Sequence, residues 1–243
     1  MGQESQPFPR HPEEPLDFVL SNFIALERSL LDCMDYVPFI DQNRGIVSPK
    51  FIPIILESCG LIESIFRYMA GDAEGGNLRA YCQRYERRLN LENATSLFLT
   101  SRLHLLRPFH GWALAVPSWW KIYNGLKHDR IANYAVASFT EAVNALAGLH
   151  QVIARSDVFT QHLLRLGWIN EDDEMNLEHL LVRLAHESAM SLPEMPAHST
   201  LFVSPLAGSF VDWTKTPPKI LWEDWSFTSR VKNYVWNYED NEN

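Results

Sequence analysis

The sequence predicts an all-α protein, an antiparallel helical bundle with an irregular arm rich in tryptophan and proline at its carboxyl end. Three features support this fold class. Four long segments, residues 16–36, 49–70, 118–132 and 138–155, carry apolar residues three and four positions apart, as a helix with one buried face requires. Hydrophobic residues make up 46% of a 243-residue chain, which is enough to bury a core. Beyond Pro193 the composition shifts to proline, tryptophan and β-forming residues.

The first two helices have recognisable beginnings. Pro15 opens the run LDFVLSNFIALERSLLDCMDYV, which stops before the next proline. Ser48 and Pro49 form an N-cap followed by proline at the first helical position, and FIPIILESCGLIESIFRYMA keeps the helical period until Gly71. The polar leader, residues 1–15, has no secretory signal and is expected to be disordered.

The middle of the chain mixes clear and unclear patterns. After Asn77, LRAYCQRYERRLN is typical of a short basic amphipathic helix. For the stretch SLFLTSRLHLLRPFHGWALAVP, the pattern is consistent with either coil or strand-like segments, and the sequence does not decide between them. Pro117 and Ser118 begin the next helix, and Ser138 with Glu141 forms a capping box ahead of FTEAVNALAGLHQVIAR.

The predicted organisation is a bundle domain over residues 16–192 and an arm over 193–243. Near its end the bundle holds an acidic cluster and a short helix, NLEHLLVRLAHESAMSL. The arm is expected to be irregular or short-stranded, and four of the eight tryptophans lie in it. Since such large apolar rings are unfavourable in water, we expect the arm to pack on its own bundle or on a partner.

Composition limits the function classes. Three cysteines, Cys33, Cys59 and Cys82, lie in apolar helical patterns and predict buried, reduced thiols in a cytoplasmic protein. No apolar run approaches the length that spans a bilayer, so no membrane association is expected. Zinc, phosphate-loop and serine-hydrolase motifs are absent from the sequence, and we therefore predict no metal and no cofactor.

Charge is unevenly distributed along the chain. The formal net charge of −9 argues against nucleic-acid binding over the whole surface. Residues 79–130, however, hold nine Lys and Arg against three acids. This basic middle indicates an anionic partner, and the alternative is that its cations belong to solvated helix faces.

The motif WWKIYNGLKHDR, residues 119–130, concentrates the chemistry-bearing residues. Its polar side chains fall on two adjacent stripes of a helix. One stripe holds Lys121, Asn124 and His128, and the other holds Tyr123, Lys127 and Arg130. Such a helix end can bind phosphate, and a histidine can move a proton near neutral pH. The alternative is that Asn124 and His128 are buried polar residues that tie neighbouring segments together.

Acids on the second helix are candidate partners for these cations. Glu57 lies among apolar neighbours in IILESCGLI, and Glu63 follows on the same helix. A buried carboxylate needs a partner, so we predict an ion pair of Glu57 with His128 or Arg130. His104, His110 and His150 stand alone in apolar stretches and are interpreted as core histidines.

Two resemblances rest on this motif. The elements Trp-Trp-Lys, Tyr-Asn and Lys-His-Asp-Arg, followed by NALAGL, resemble the WWxxYNxxKHxR signature of uncharacterised bacterial helical proteins, and SPKFIPIILESCGLIESIFR is similar to their second helix. More distantly, Asn124 placed four residues before His128 resembles the HEPN superfamily of α-bundles. Its ribonucleases cleave RNA without metal, with an arginine and a histidine that meet across a two-fold dimer. The resemblance implies that His128 is the acid or base, but Tyr123 stands where that arginine would be.

Two functions are therefore predicted. The first is an HEPN-like interaction module, expected to be a homodimer, that binds RNA, a nucleotide or a protein partner at the basic helix. The alternative is a metal-independent endoribonuclease of toxin or phage-defence type. The candidate catalytic residues are His128, Lys121 and Arg130, and the candidate ligand-binding residues are Asn124, Lys127, Tyr123 and Glu57. A second arginine–histidine pair, Arg155 and His162, fits the HEPN pattern more loosely.

Overall fold

A computed structural model describes most of the bundle and part of the arm. The described residues are 14–71, 76–100, 103–168, 196–205, 209–212 and 219–222. Outside them lie the predicted leader up to residue 13, the short helix predicted over 176–192, the boundary between bundle and arm, and residues 223–243.

The described chain contains both helices and strands. The helices are α1 (Glu14–Met34), α2 (Phe51–Ala70), α3 (Leu78–Leu89), α4 (Ser118–His128), α5 (Arg130–Asn133), α6 (Phe139–Arg155) and α7 (Thr160–Arg165). The strands are β1 (Ser96–Leu99), β2 (Leu103–Leu106), β3 (Pro196–His198), β4 (Phe202–Pro205), β5 (Ser209–Asp212) and β6 (Lys219–Trp222). Strands β1 to β4 form one antiparallel sheet in the order β2-β1-β4-β3, and β5 pairs with β6.

The all-α prediction is wrong, because a four-stranded sheet lies against the helices. The stretch that sequence alone left open forms the β1–β2 hairpin, and β4 from the arm pairs with β1 through Leu97 with Val203 and Phe98 with Phe202. Strands of four residues are too short to display a clear two-residue alternation. The partners β1 and β4 are also about a hundred residues apart, so no local pattern announces their pairing.

The first strands of the arm contribute to the hydrophobic core. Ala197, Leu201 and Phe202 are buried, and the Phe202 ring stacks on Phe98 with 5.2 Å between ring centroids. The arm also contacts α1, where the carboxylate of Glu27 accepts hydrogen bonds from the Ser199 hydroxyl and the Leu201 backbone N–H. Burial raises the pKa of Glu27. This part of the arm is therefore an integral layer of the fold.

Helix α6 links the sheet to the helices. It packs most extensively against α2, and it is buried along nearly its whole length. His150 of α6 lies 2.7 Å from the Ser204 hydroxyl of β4, which in turn lies 2.6 Å from the Ser96 hydroxyl of β1. Burial, with a smaller contribution from His198, lowers the pKa of His150 to about 3. His150 is thus a neutral core histidine, as its apolar surroundings predict, whereas His110 is exposed.

Local signals account for some of the helix ends. The predicted N-cap Ser48 is wrong, because α2 begins at Phe51 after Lys50 and has no side-chain cap. The Ser138 hydroxyl accepts from the Glu141 backbone N–H at the start of α6, which is one half of the predicted capping box. The other half does not form, because the Glu141 carboxylate accepts from the Ser118 hydroxyl. The Asn77 side chain accepts from the Ala80 N–H at the start of α3. Gly71 ends α2 in the left-handed conformation, with φ of 66°. Within the described ranges, no helix is both long and apolar enough to cross a membrane.

Candidate functional site

The motif at 119–130 begins as the helix α4, whose buried face attaches it to the core. Trp119, Trp120, Tyr123 and Leu126 are all buried, so both tryptophan rings are in the core. The Trp119 indole N–H donates to the Pro108 carbonyl at 2.8 Å. The Trp119 ring packs against Gly148 of α6, where an added Cβ would lie only 3.3 Å from the ring carbons. The absence of a side chain at Gly148 therefore permits this close approach. The aromatic half of the motif therefore positions α4.

The predicted helix over 118–132 is broken at Asp129. This residue is extended, with φ of −149° and ψ of 97°, and it separates α4 from the four-residue helix α5. One carboxylate oxygen of Asp129 accepts hydrogen bonds from the backbone N–H groups of Ile131 and Ala132. Asp129 is thus the N-cap of a new helix, and Arg130 does not continue the stripe of Tyr123 and Lys127.

A second set of hydrogen bonds attaches α5 to the end of α4. The Asn133 amide donates to the carbonyls of Gly125 at 3.1 Å and of Asp129 at 2.8 Å. A Cβ on Gly125 would lie 3.2 Å from the Asn133 side-chain oxygen. Sequence reasoning missed these residues as a group. The available signals were an aspartate at an N-cap position and a glycine inside a helix.

Four candidate residues of the motif face solvent. The side chains of Lys121, Asn124, His128 and Arg130 are exposed. In the part of the chain that the structure describes, none of the four forms a side-chain hydrogen bond or an ion pair. The interpretation of Asn124 and His128 as buried ties between segments is therefore wrong, and these side chains remain available to a ligand.

Tyr123 and Lys127 are instead held in a network with α2. The Tyr123 hydroxyl donates to the Glu63 carboxylate at 3.1 Å and accepts from the Lys127 ammonium at 3.1 Å. Lys127 also lies 3.4 Å from the same carboxylate oxygen, and Arg67 approaches it at 3.9 Å. Burial raises the pKa of Tyr123. The hydrogen bond from Lys127 to Tyr123 raises the pKa of Lys127.

The acid that meets the motif is therefore Glu63 rather than Glu57. Glu57 is exposed, and no ion pair with His128 or Arg130 is seen among the described residues. The apolar residues next to Glu57 in sequence lie on another side of α2, because adjacent residues do not share a helix face. The pairing predicted for Glu57 is wrong.

Large apolar side chains extend the exposed end of the motif. Ile131 is 88% exposed and Tyr134 is 58% exposed, and Val136 also faces solvent. We call the side chains of His128, Arg130, Ile131, Tyr134 and Val136 the α5 surface. It combines cationic or ionisable groups with apolar anchors on one short segment.

Two further exposed apolar residues lie in a segment that pairs with the residue before α6. Ile46 and Val47 are exposed, and Val47 forms an isolated antiparallel bridge with Ser138. The Ile46 carbonyl accepts from the Phe139 N–H at 2.8 Å. Val136 lies two residues before Ser138, so it is close in sequence to this bridge.

Comparison of the chain with protein-family models, curated proteins and solved structures finds no match. The likeness to bacterial helical proteins and to the HEPN superfamily therefore stays a prediction from the motif alone.

The looser arginine–histidine pair lies inside the fold. Arg155 is buried, and its Nε donates to the Leu89 carbonyl. His162 is also buried, with its Nε2 atom 3.3 Å from an Asp17 carboxylate oxygen. Both side chains serve packing rather than an open site. Within the described ranges, no group of three or more His, Cys, Asp or Glu side chains is placed to hold a metal ion.

Proposed function

We propose that this chain is an interaction module whose α5 surface binds an acidic segment of a partner protein that also carries apolar side chains. The observation that supports this most is Ile131, a large apolar side chain that is 88% exposed on a hydrogen-bonded segment. Isolated exposed apolar residues are common, but here Tyr134 and Val136, three and five residues further along the chain, are exposed as well.

Rigidity strengthens the proposal. The Asp129 cap and the Asn133 amide hold α5 against α4, so the apolar side chains are presented on an ordered backbone. An anchor that is already ordered loses less conformational entropy on binding than a flexible loop does. Buried apolar anchors of this kind carry most of the binding free energy in protein interfaces.

Charge indicates the chemistry of the partner. His128 and Arg130, both exposed, come just before Ile131 in sequence, and Lys121 is exposed further up α4. The nearest acid in sequence, Asp129, uses its carboxylate to cap α5. A partner segment with Asp or Glu beside its apolar residues would be complementary to this surface.

Binding of matched synthetic peptides tests the proposal. We expect a fluorescent peptide that alternates acidic and apolar residues to bind the full chain, and acidic–serine and basic–apolar peptides to bind far more weakly. Ile131→Ser should weaken binding at least about tenfold, because a buried isoleucine contributes about 1.5–3 kcal/mol. Phe18→Ser, at a position 63% exposed on α1, is the matched control. Equal affinity of all three peptides, or of both variants and the wild type, would contradict the proposal.

A metal-independent endoribonuclease is the second candidate, supported by the exposed and unengaged His128 with Asn124 one turn before it. In a homodimer, two copies of His128 could serve as acid and base, with Lys121 and Arg130 stabilising the phosphate. Tyr123 would take no part, since it is bonded to Glu63 and Lys127. RNA cleavage in EDTA that leaves cyclic phosphate ends and disappears in His128→Ala would support this candidate, and absence of cleavage would contradict it.

A cytoplasmic location belongs to the same proposal. Cys33, Cys59 and Cys82 are buried free thiols, which fits a reducing compartment. Burial raises the pKa of all three thiols, so they are held in the unreactive protonated form.

A further inference from the structure

The two edges of the four-stranded sheet differ in how their outer backbone groups are used. The strand order β2-β1-β4-β3 makes β2 and β3 the edge strands. The Ser199 N–H bonds back to the Phe202 carbonyl of β4, so the backbone of the preceding residue, His198, is turned away from β4. The His198 N–H donates instead to the Trp168 carbonyl at 2.8 Å. The β3 edge is therefore covered by the chain itself.

The hydrogen bonds of β1 show how the backbone of β2 is oriented. The Leu99 N–H donates to the Leu201 carbonyl at 2.8 Å, so the backbone of Leu99 faces β4. Backbone groups alternate between the two sides of a strand, and the preceding residue, Phe98, therefore faces β2. The partner of Phe98 on β2 is His104. The backbone of His104 is thus directed toward β1.

The outer side of β2 is formed by the backbone of Leu103 and Leu105, because these residues alternate with His104. Among the described residues, neither leucine has a hydrogen-bond partner on that side. The His104 ring packs on Phe39 with 5.1 Å between ring centroids, so its side chain faces the core. Leu105 points to the opposite face of the sheet, and it is 37% exposed. An unpaired strand edge and an exposed apolar side chain thus coincide at Leu105.

This edge lacks the features that usually prevent a strand from pairing with another chain. Charged side chains, proline and bulges serve that purpose in natural sheets. The four residues of β2 read LHLL, with no Lys, Arg, Asp, Glu or proline and no break in the register with β1. The first cation after β2 is Arg107, and its guanidinium donates to the Glu92 carbonyl at 3.4 Å. The sequence of β2 therefore favours pairing with a further strand.

We propose that β2 pairs antiparallel with β2 of a second copy of this chain, across a two-fold axis at His104. In this register Leu103 of each copy is hydrogen-bonded to Leu105 of the other, so every outward N–H and C=O group of the two strands has a partner. The same contact covers the exposed Leu105 side chains. It involves none of the residues of the α5 surface and does not depend on that surface.

A second copy fits this edge better than a strand of another protein. A foreign strand would itself present a new open edge on its far side. Two copies instead form one continuous sheet in which β3 is the edge strand at both ends. Because the Trp168 carbonyl bonds to β3 in each copy, pairing of this kind stops at a dimer.

Sedimentation of the full chain over a range of concentrations tests the proposal. We expect a monomer–dimer equilibrium and no larger assembly. Leu105→Pro removes an outward N–H and leaves the bonds from β2 to β1 in place, because proline is tolerated where an edge residue faces away from its sheet. Leu105→Ala also shortens the side chain but keeps the N–H. Since Leu105→Pro loses one intermolecular hydrogen bond from each copy, its dimer association constant should be at least about tenfold below that of Leu105→Ala.

Amide hydrogen exchange, measured by NMR on the wild type, decides the proposal even if Leu105→Pro does not fold. The Leu105 N–H should exchange rapidly in dilute solution and at least about tenfold more slowly once the dimer has formed. The His104 N–H is directed toward β1 and is the internal reference. Its exchange should be slow at every concentration.

Three results would overturn the inference. The first is a chain that stays monomeric at every concentration, and the second is a dimer that Leu105→Pro and Leu105→Ala weaken equally. The third is a Leu105 N–H whose exchange rate does not change with concentration, which would assign the edge to solvent or to a strand of the same chain. Ile131→Ser should dimerise like the wild type, so failure of the proposed function and failure of this inference are distinguished.

Discussion

Tyr123 of α4 donates its hydroxyl hydrogen to the carboxylate of Glu63 on α2 at 3.1 Å. The bond joins two helices that are sixty residues apart in sequence, and Lys127 completes it by donating to both groups. One stripe of the WWKIYNGLKHDR motif is thus used to hold α4 in place. The other polar residues, Lys121, Asn124 and His128, are left to face solvent.

Removal of the Tyr123 hydroxyl should weaken the attachment of α4 to α2. We expect Tyr123→Phe to lower the free energy of unfolding by about 1–2 kcal/mol, since a buried hydrogen bond to a charged acceptor is lost. Urea unfolding measures the change. Tyr36→Phe, at a position 83% exposed, should leave the stability unchanged. Equal changes in the free energy of unfolding for the two substitutions would show that the Tyr123 hydroxyl does not stabilise the contact between α4 and α2.

Replacing Gly125 with alanine should not give the increase in stability that alanine usually gives in a helix. A Cβ there would lie 3.2 Å from the Asn133 side-chain oxygen and would push α5 away from α4. Gly60→Ala on α2, where nothing lies within 4 Å of the added Cβ, should raise stability by about 0.5–1 kcal/mol. Gly125→Ala should raise it less or lower it, and should also weaken binding of the acidic–apolar peptide. A full gain at Gly125 with unchanged binding would contradict the proposed role of Asn133.

The arm should be required for the stability of the whole domain. Phe202 of β4 is fully buried against Phe98, so Phe202→Ala should lower the free energy of unfolding by about 3–4 kcal/mol. Phe18→Ala removes the same atoms from an exposed position and should have an effect below about 0.5 kcal/mol. If fluorescence and circular dichroism showed the arm unfolding separately while the helices kept their stability, this part of the account would be wrong.

His150 should make the folded state sensitive to acid. Its folded pKa is about 3, against 6.5 for an ordinary histidine, because burial disfavours the charged ring. As the pH falls, the unfolded chain protonates His150 at a higher pH than the folded chain does. The stability that comes from keeping His150 neutral is therefore fully present above pH 6.5 and is lost as the pH falls toward 3. The loss between pH 7 and pH 5 should be about 2 kcal/mol. His150→Asn should lose this contribution, and parallel stability curves for the two proteins would contradict it.

The helices could be predicted because their signals are local. The Ser138 cap and Gly71 each act within four residues of the helix end that they specify. The apolar period located α2 and α6 for the same reason. The sheet could not be predicted in this way, because its strands β1 and β4 are about a hundred residues apart and their pairing leaves no local pattern in the sequence.

The candidate site was predictable in composition but not in detail. A helical wheel correctly grouped Lys121, Asn124 and His128, since three and four residues apart is a fixed geometry. The break at Asp129 was missed because Asp129 lies between residues that can continue a helix. The choice of Glu63 over Glu57 depends on how α2 is rotated against α4, which only tertiary packing determines.

A photo-crosslinking residue at position 131 of the full chain, in the cells that produce it, is the most direct test of the proposed module. We expect one discrete protein adduct whose crosslinked segment contains Asp or Glu beside apolar residues. The adduct should be lost when Arg130→Glu is added, and it should not form when the crosslinker is placed at exposed position 18. No adduct from position 131, or the same adducts from both positions, would contradict the claim that the α5 surface binds a partner protein.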